Sequence, residues 1–165
     1  MTAAIVCYSR SGHSRRVADR LARDLKGEFL ELAAPRYAKG VFGYARAGYD
    51  SLRQDTARYH APLPSLSGFE RVVLCGPVWT SYPAIPLRAM LQSIVNYPGS
   101  VSLFLTSGAP SPATKAFAVA SADLGRPLTA TACLSNSDEN TDREEDIITH
   151  FLSDLETQRL LAMSD

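Results

Sequence analysis

The stretch AIVCYSRSGHSRRVADRLA, residues 4–22, decides how the rest of the chain is read. A short apolar run from Ala4 to Tyr8 breaks into a small polar loop, Ser9-Arg10-Ser11-Gly12-His13-Ser14, and an amphipathic helix follows at once. A helix start offers backbone N–H groups with no intrahelical partner and a partial positive charge. Three serine hydroxyls and a glycine beside such a start make a phosphate the natural guest. A plain strand-to-helix turn with a good cap needs only one of those hydroxyls.

Outward from this stretch, apolar runs alternate with helical patterns. A strand is expected over Ala3 to Tyr8, then a helix from about Gly12 to Lys26 with Val17, Ala18, Leu21, Ala22 and Leu25 on one face. Glu28 to Leu32 reads as a short second strand. Arg71 to Cys75 and Val101 to Leu105 are compact apolar runs ending at Gly76-Pro77 and Thr106-Ser107-Gly108, the pattern of strands buried on both faces. Pro83 to Val95 is helical in pattern. Ser111-Pro112 opens a further helix that runs to about Leu124 and stops at Gly125. Leu128 to Leu134 reads as the fifth strand and Asp142 to Leu161 as the last helix. This alternation predicts an α/β domain over residues 1–165, with a mainly parallel sheet covered on both faces. The segment Ala34 to Ser67 breaks the rhythm, with Tyr37, Phe42, Tyr44, Tyr49 and Tyr59 among basic and glycine residues. It reads as a helix and loop packed against the sheet edge.

Composition excludes several classes. The chain has 165 residues, 45% hydrophobic and 21% charged, with a formal net charge of zero, so no basic field recruits nucleic acid or an anionic membrane. No apolar stretch is long enough to span a bilayer, and a cytoplasmic protein is expected. Cys7, Cys75 and Cys133 lie far apart with no metal or disulfide spacing and read as buried strand thiols. No metal ligands are assigned, and His60 and His150 are taken as structural or surface residues. A phosphatase loop would need Cys-x5-Arg, but His13 stands where the arginine would be. His13 is expected to face solvent. Asp138 to Asp146 holds six carboxylates and one arginine and reads as a solvated loop entering a helix, with Thr141 and Glu144 as a capping box.

Three loops leave carboxyl ends of strands, where open parallel sheets bind ligands. The first is Ser9 to Ser14. The second, Gly76 to Pro83, carries Pro77, Val78, Trp79, Thr80, Ser81 and Tyr82, with the only tryptophan read as exposed. The third, Thr106 to Ser111, is small, and Ser107, Gly108 and Ala109 let its backbone approach a flat ligand. A phosphate pocket, an aromatic loop and a backbone-rich loop match a mononucleotide with a planar ring, and flavin mononucleotide (FMN) satisfies all three.

On these residues the chain resembles the flavodoxin-like family of FMN-binding proteins. Ser9-Arg10-Ser11-Gly12-His13-Ser14 is similar to that family's hydroxyl-x-hydroxyl-Gly-x-hydroxyl phosphate loop. GPVWTSYPAIPLRAML resembles its second flavin loop and the helix after it, and LFLTSGAPSP its third loop. The resemblance covers nearly the whole chain. It implies a three-layer, doubly wound, five-stranded parallel sheet in the order 2-1-3-4-5. Ser9, Ser11, Gly12 and Ser14 would then hold the phosphate, Arg10 and His13 would add backbone N–H groups, and Trp79 would border the isoalloxazine. Backbone groups around Val78 to Ser81 would face its N5 edge, and those of Ser107 to Ala109 its pyrimidine edge. The implied function is electron transfer to a protein partner or a small acceptor such as a quinone. The chain would act as a non-enzymatic carrier or as an FMN-dependent oxidoreductase, with no acid, base or nucleophile of its own assigned to catalysis. The neutral surface departs from the acidic carriers of the family, and the aromatic insertion departs from its minimal members. A flavin-free binding or regulatory module holding another phosphorylated ligand on the same fold, and a subunit of a larger redox complex in which that insertion makes a homodimer or partner contact, are the other readings.

Overall fold

The computed structural model describes residues 2–37, 40–110 and 112–162. The inner strands are β1 (Ala3–Cys7), β3 (Arg71–Trp79) and β5 (Ser100–Ser107). Their apolar side chains alternate between two buried faces, as period-2 geometry requires. Ala4, Val6, Val72, Leu74, Val101, Leu103 and Leu105 enter one core; Ala3, Ile5, Cys7, Val73, Cys75 and Phe104 enter the other. The sheet is completed by β2 (Glu28–Glu31), β6 (Thr131–Ser135) and a two-residue strand, β4 (Tyr82–Pro83).

The order is β2-β1-β3-β5-β6, all neighbours parallel, with β4 pairing antiparallel on β3 alone. With the short β4 set aside, this is the expected order 2-1-3-4-5. Helices α1 (His13–Asp24) and α5 (Asp142–Ala162) cover one face through Val17, Ala18, Leu21, Ile148, Phe151 and Leu155. The other face carries α3 (Ile85–Ser93) and α4 (Thr114–Leu124) through Leu87, Met90, Leu91, Ala116, Ala120 and Leu124.

Several boundaries differ from the sequence expectation. β3 runs four residues past Cys75, because Gly76 and Pro77 stay in register with Leu105 and Thr106 of β5. Beyond Cys7 no β1 residue pairs with β3, so that side tolerates a residue without an N–H. Pro83 belongs to β4, and α3 starts at Ile85. α4 starts at Thr114; the expected cap Ser111 lies outside the described residues. The segment 34–67 contributes α2 (Val41–Leu52), flanked by short 3-10 turns at Pro35–Tyr37 and Thr56–Arg58. It packs on the end of β3 rather than along a sheet edge: Tyr37, Ala47 and Ile85 form a small core with Trp79 and Tyr59 against it.

The acidic segment is not merely solvated. Glu144 is buried, and its carboxylate accepts Arg16 Nη1 at 2.6 Å, Arg16 Nη2 at 3.1 Å and the Asn140 N–H at 2.5 Å. The capping box is thus shifted: Glu144 reaches back to Asn140, while the Thr141 hydroxyl donates to the Asp138 carbonyl at 2.6 Å. Arg20 Nη2 donates to Glu145 at 2.7 Å one turn further on, so a ladder of ion pairs joins α1 to α5. Burial pushes the Glu144 carboxyl up, but the Arg16 and Asn140 hydrogen bonds outweigh it and hold the group below its usual range. A depressed folded-state pKa stabilises above the unfolded value, about 4.3, and that stability is lost as pH falls through the folded value. Urea midpoints are therefore expected to hold from neutral pH to about 5 and then fall, with a shallower fall in Glu144→Gln.

Candidate functional site

The first loop forms where β1 ends. The Tyr8 N–H still donates to the Cys75 carbonyl at 3.0 Å, and the chain then leaves the sheet. The Ser9 hydroxyl oxygen accepts the Gly12 N–H at 3.1 Å, closing a compact turn. Gly12 caps α1 in a left-handed conformation, φ 102° and ψ −17°, with no side-chain cap on the helix. A Cβ at Gly12 would meet no atom of the described residues within 4 Å, so among them the space in front of the helix start is open. Ser11 is exposed there. Ser14 is buried, and its hydroxyl lies 2.7 Å from that of Thr106 at the end of β5, which ties the first loop to the third. Arg10 turns aside: its Nη2 donates to the Gly40 carbonyl at 2.9 Å, and its guanidinium sits 5.1 Å from the Tyr44 ring centre. His13 does not simply face solvent. Its Nδ1 is 2.7 Å from Glu139 Oε1, although the side chain stays 39% exposed.

The second loop is a two-residue hairpin turn. Val78 pairs with Pro83 and Trp79 with Tyr82, leaving Thr80 and Ser81 at the tip with φ of 49° and 72°. Two successive positive φ values match a turn whose twist suits a hairpin, but a β-branched residue rarely adopts them. Ser51 of α2, fully buried, holds the tip: its hydroxyl donates to the Trp79 carbonyl at 2.8 Å and lies 2.7 Å from the Thr80 hydroxyl. Trp79 is half-buried at the strand end, not on an exposed loop. Its ring meets Tyr8 edge-on at 5.5 Å and Tyr37 at 5.1 Å. Asp50, next to Ser51, accepts Arg36 Nε at 2.8 Å and the Tyr37 hydroxyl at 3.0 Å. Burial raises the Asp50 carboxyl, and these bonds with the nearby Arg58 charge more than reverse it, holding the group below its usual range.

The third loop completes a cleft of about 440 Å³, lined by Val78 and Ser81 from the hairpin, Ser107, Gly108 and Ala109 from the third loop, and Tyr44 and Lys115. A volume of this size suits a small-molecule site. The Ser107 hydroxyl donates to the Ala109 carbonyl at 2.7 Å, and a Cβ at Gly108 would meet open space. Lys115 Nζ lies 4.4 Å from the Tyr82 ring centre, which places a cation at the rim.

The first loop thus lies beside the cleft, joined to it through Ser14 and Thr106, and the other two loops line it. Of the second-loop residues, Pro77, Trp79, Thr80 and Tyr82 are not in the cleft lining. Sequence reasoning gave no individual role to Thr106 of the third loop or to Tyr44 of the aromatic segment, and it missed Ser51, Asp50, Lys115 and Glu139. Each comes from a distant segment, and only the aromatic content of 34–67 hinted at any of them. It also missed Tyr8, whose buried hydroxyl has no partner among the described residues and whose pKa burial pushes up to about 12. The thiols offer no nucleophile. Burial drives Cys7 to about 12 and Cys75 well above its ordinary value, while Cys133 is half-buried and raised for the same reason. Among the described residues no cluster of His, Cys, Asp and Glu could hold a metal, and no helix is long and apolar enough to cross a membrane.

Neither a protein-family model nor a curated protein matches the sequence. Solved structures do. A flavoprotein from Lactobacillus acidophilus NCFM, crystallised in complex with FMN, superposes with a TM-score of 0.65 at 20% identity, over 86% of this chain and 97% of its own. A candidate flavoprotein from Bacteroides uniformis ATCC 8492 gives 0.64 at 19% identity, over 87% and 93%. Rubredoxin oxygen:oxidoreductase from the anaerobe Desulfovibrio gigas gives 0.57 at 13% identity, over 95% of this chain but 36% of its own. The fold is the flavodoxin-like one.

Proposed function

We propose that this flavodoxin-like chain binds FMN non-covalently at the three loops and passes electrons between the flavin and a redox partner. The observation that carries this is the convergence of the loops. The Ser14–Thr106 contact fixes the uncapped start of α1 beside a cleft walled by the hairpin and the third loop. The residues fit the group. The open space at Gly12, the exposed Ser11 and the first-turn N–H groups of α1 form a cradle for a phosphate, with Ser9 holding the turn and Arg10 and His13 supplying backbone N–H groups. Gly108, where a Cβ would meet no described atom within 4 Å, lines the same cleft as Ser81 and Ala109 and would leave room there for a flat ring.

Bound FMN supplies one- and two-electron chemistry that no side chain here can. The chain's own task is to bind, orient and shield. Ser81 at the hairpin tip held by Ser51, and Ser107 to Ala109, line the cleft and would hold the ring there through their backbone. Lys115 at the rim would favour negative charge developing in the cleft. The partner is a redox protein or a small acceptor such as a quinone. Three free thiols support a reducing compartment, the cytoplasm.

The test is a titration followed by Trp79 fluorescence, because the only tryptophan belongs to the hairpin whose Val78 and Ser81 line the cleft. FMN is expected to quench it with a Kd of about 1 μM or tighter. Riboflavin, which lacks the phosphate, is expected to bind at least roughly 100-fold more weakly, the value of about two charge-assisted hydrogen bonds. Equal affinity for both would remove the phosphate from the first loop. No quenching by either, with binding of another phosphorylated ligand, would favour the flavin-free module.

A further inference from the structure

We propose that the exposed face of α2 is the docking surface for an acidic redox protein, an inference that rests on the cleft holding a redox cofactor. α2 covers the end of β3 with small or polar residues, Ala47, Asp50 and Ser51, and turns its large apolar side chains outward. Val41 is 82% exposed, Phe42 90%, Tyr44 70% and Leu52 69%; Tyr49 is also exposed. A contiguous apolar face of this kind marks an interaction site. It adjoins the cleft, since Tyr44 belongs to both.

Charge selects the partner. The segment 34–67 contains Arg36, Lys39, Arg46, Arg53 and Arg58 but only two carboxylates, Asp50 and Asp55. Asp50 is buried and taken by Arg36, and Asp55 accepts Arg58 Nε at 2.6 Å. Arg46 and Arg53 have no ion-pair partner among the described residues. Arg53 lies over the Tyr49 ring at 4.9 Å and Arg10 over the Tyr44 ring at 5.1 Å. Two cations, Arg53 of α2 and Arg10 of the first loop, are therefore stacked on the aromatic face itself, the tyrosine–arginine make-up of protein hot spots. An interfacial membrane helix instead sets its cations on a separate polar face. A second copy is disfavoured because a two-fold interface would face these arginines with their own copies and no free carboxylate. A carboxylate-rimmed protein patch satisfies both the charge and the apolar centre.

The probe is a plant-type ferredoxin, an acidic one-electron carrier, with basic cytochrome c as the comparison. Calorimetric titrations use the chain both flavin-free and after incubation with FMN. Ferredoxin is expected to bind at about 20 mM salt, to weaken at least roughly tenfold at about 300 mM, and to lose binding in Arg46→Glu/Arg53→Glu and in Phe42→Ser. All the substituted side chains are exposed, so circular dichroism is expected to be unchanged. Cytochrome c is expected not to bind through this face. No ferredoxin binding, binding indifferent to these variants, or equal binding of cytochrome c overturns the proposal. So does capture by phosphatidylserine vesicles, or a doubled mass in ultracentrifugation, that Phe42→Ser abolishes. Docking read on the flavin-free chain is independent of FMN uptake, so failure of the cofactor assignment and failure of the docking surface give different results.

Discussion

Gly12→Val is expected to lose FMN uptake while the sheet still folds. The position combines φ 102° with open space, among the described residues, along the direction a Cβ would take, so the new Cβ meets no described atom within 4 Å and the side chain would stand where the phosphate would sit. The cost to the flavin-free protein is backbone strain of about 1–3 kcal/mol, within a typical total of about 5–15 kcal/mol. Each kcal/mol moves Tm by about 2–4 °C in a chain of this size. Gly125→Val is the matched control. Gly125 has φ 75° and equally open space at the C-terminal end of α4, outside the cleft lining. Both variants should lose similar stability, and only Gly12→Val should lose the flavin. Paired melting curves and FMN titrations read the two effects separately; stoichiometric flavin in Gly12→Val would remove the first loop from the site.

Asp50→Ala is expected to give the largest loss of stability, about 2–4 kcal/mol, because it strands the buried Tyr37 hydroxyl and removes the anchor of Arg36. The effect should reach the cleft. Asp50 and Ser51 are neighbours on α2, and Ser51 holds the Thr80–Ser81 tip while Tyr44 of the same helix lines the cleft. FMN affinity is therefore expected to fall together with the near-ultraviolet circular dichroism of Trp79. A variant that melts earlier but binds FMN with unchanged affinity would show that α2 shields the site without shaping it.

The parts of the site that are legible in sequence are local ones. Ser9 to Ser14 can be read because a strand, a hydroxyl loop and a helix start follow one another without a break. Gly108 and Ser107 can be read because the loop directly follows an apolar run. The hairpin cannot. Turns with two positive φ values favour Asn and Gly, and here Thr80 and Ser81 adopt them under the grip of a serine about thirty residues away in sequence. Trp79 reads as exposed for the same reason, since the rings that half-bury it, Tyr8 and Tyr37, come from other segments. α2 cannot be placed from its pattern because its inward residues are small or polar and its outward ones large and apolar, the reverse of an ordinary surface helix. His13 and Glu139 are 126 residues apart, and no local pattern joins them.

The most direct measurement is the visible absorption spectrum of the protein after incubation with FMN and desalting. The account predicts retained flavin bands at one FMN per chain, with none retained after the same treatment with riboflavin. A colourless protein in both cases would contradict it.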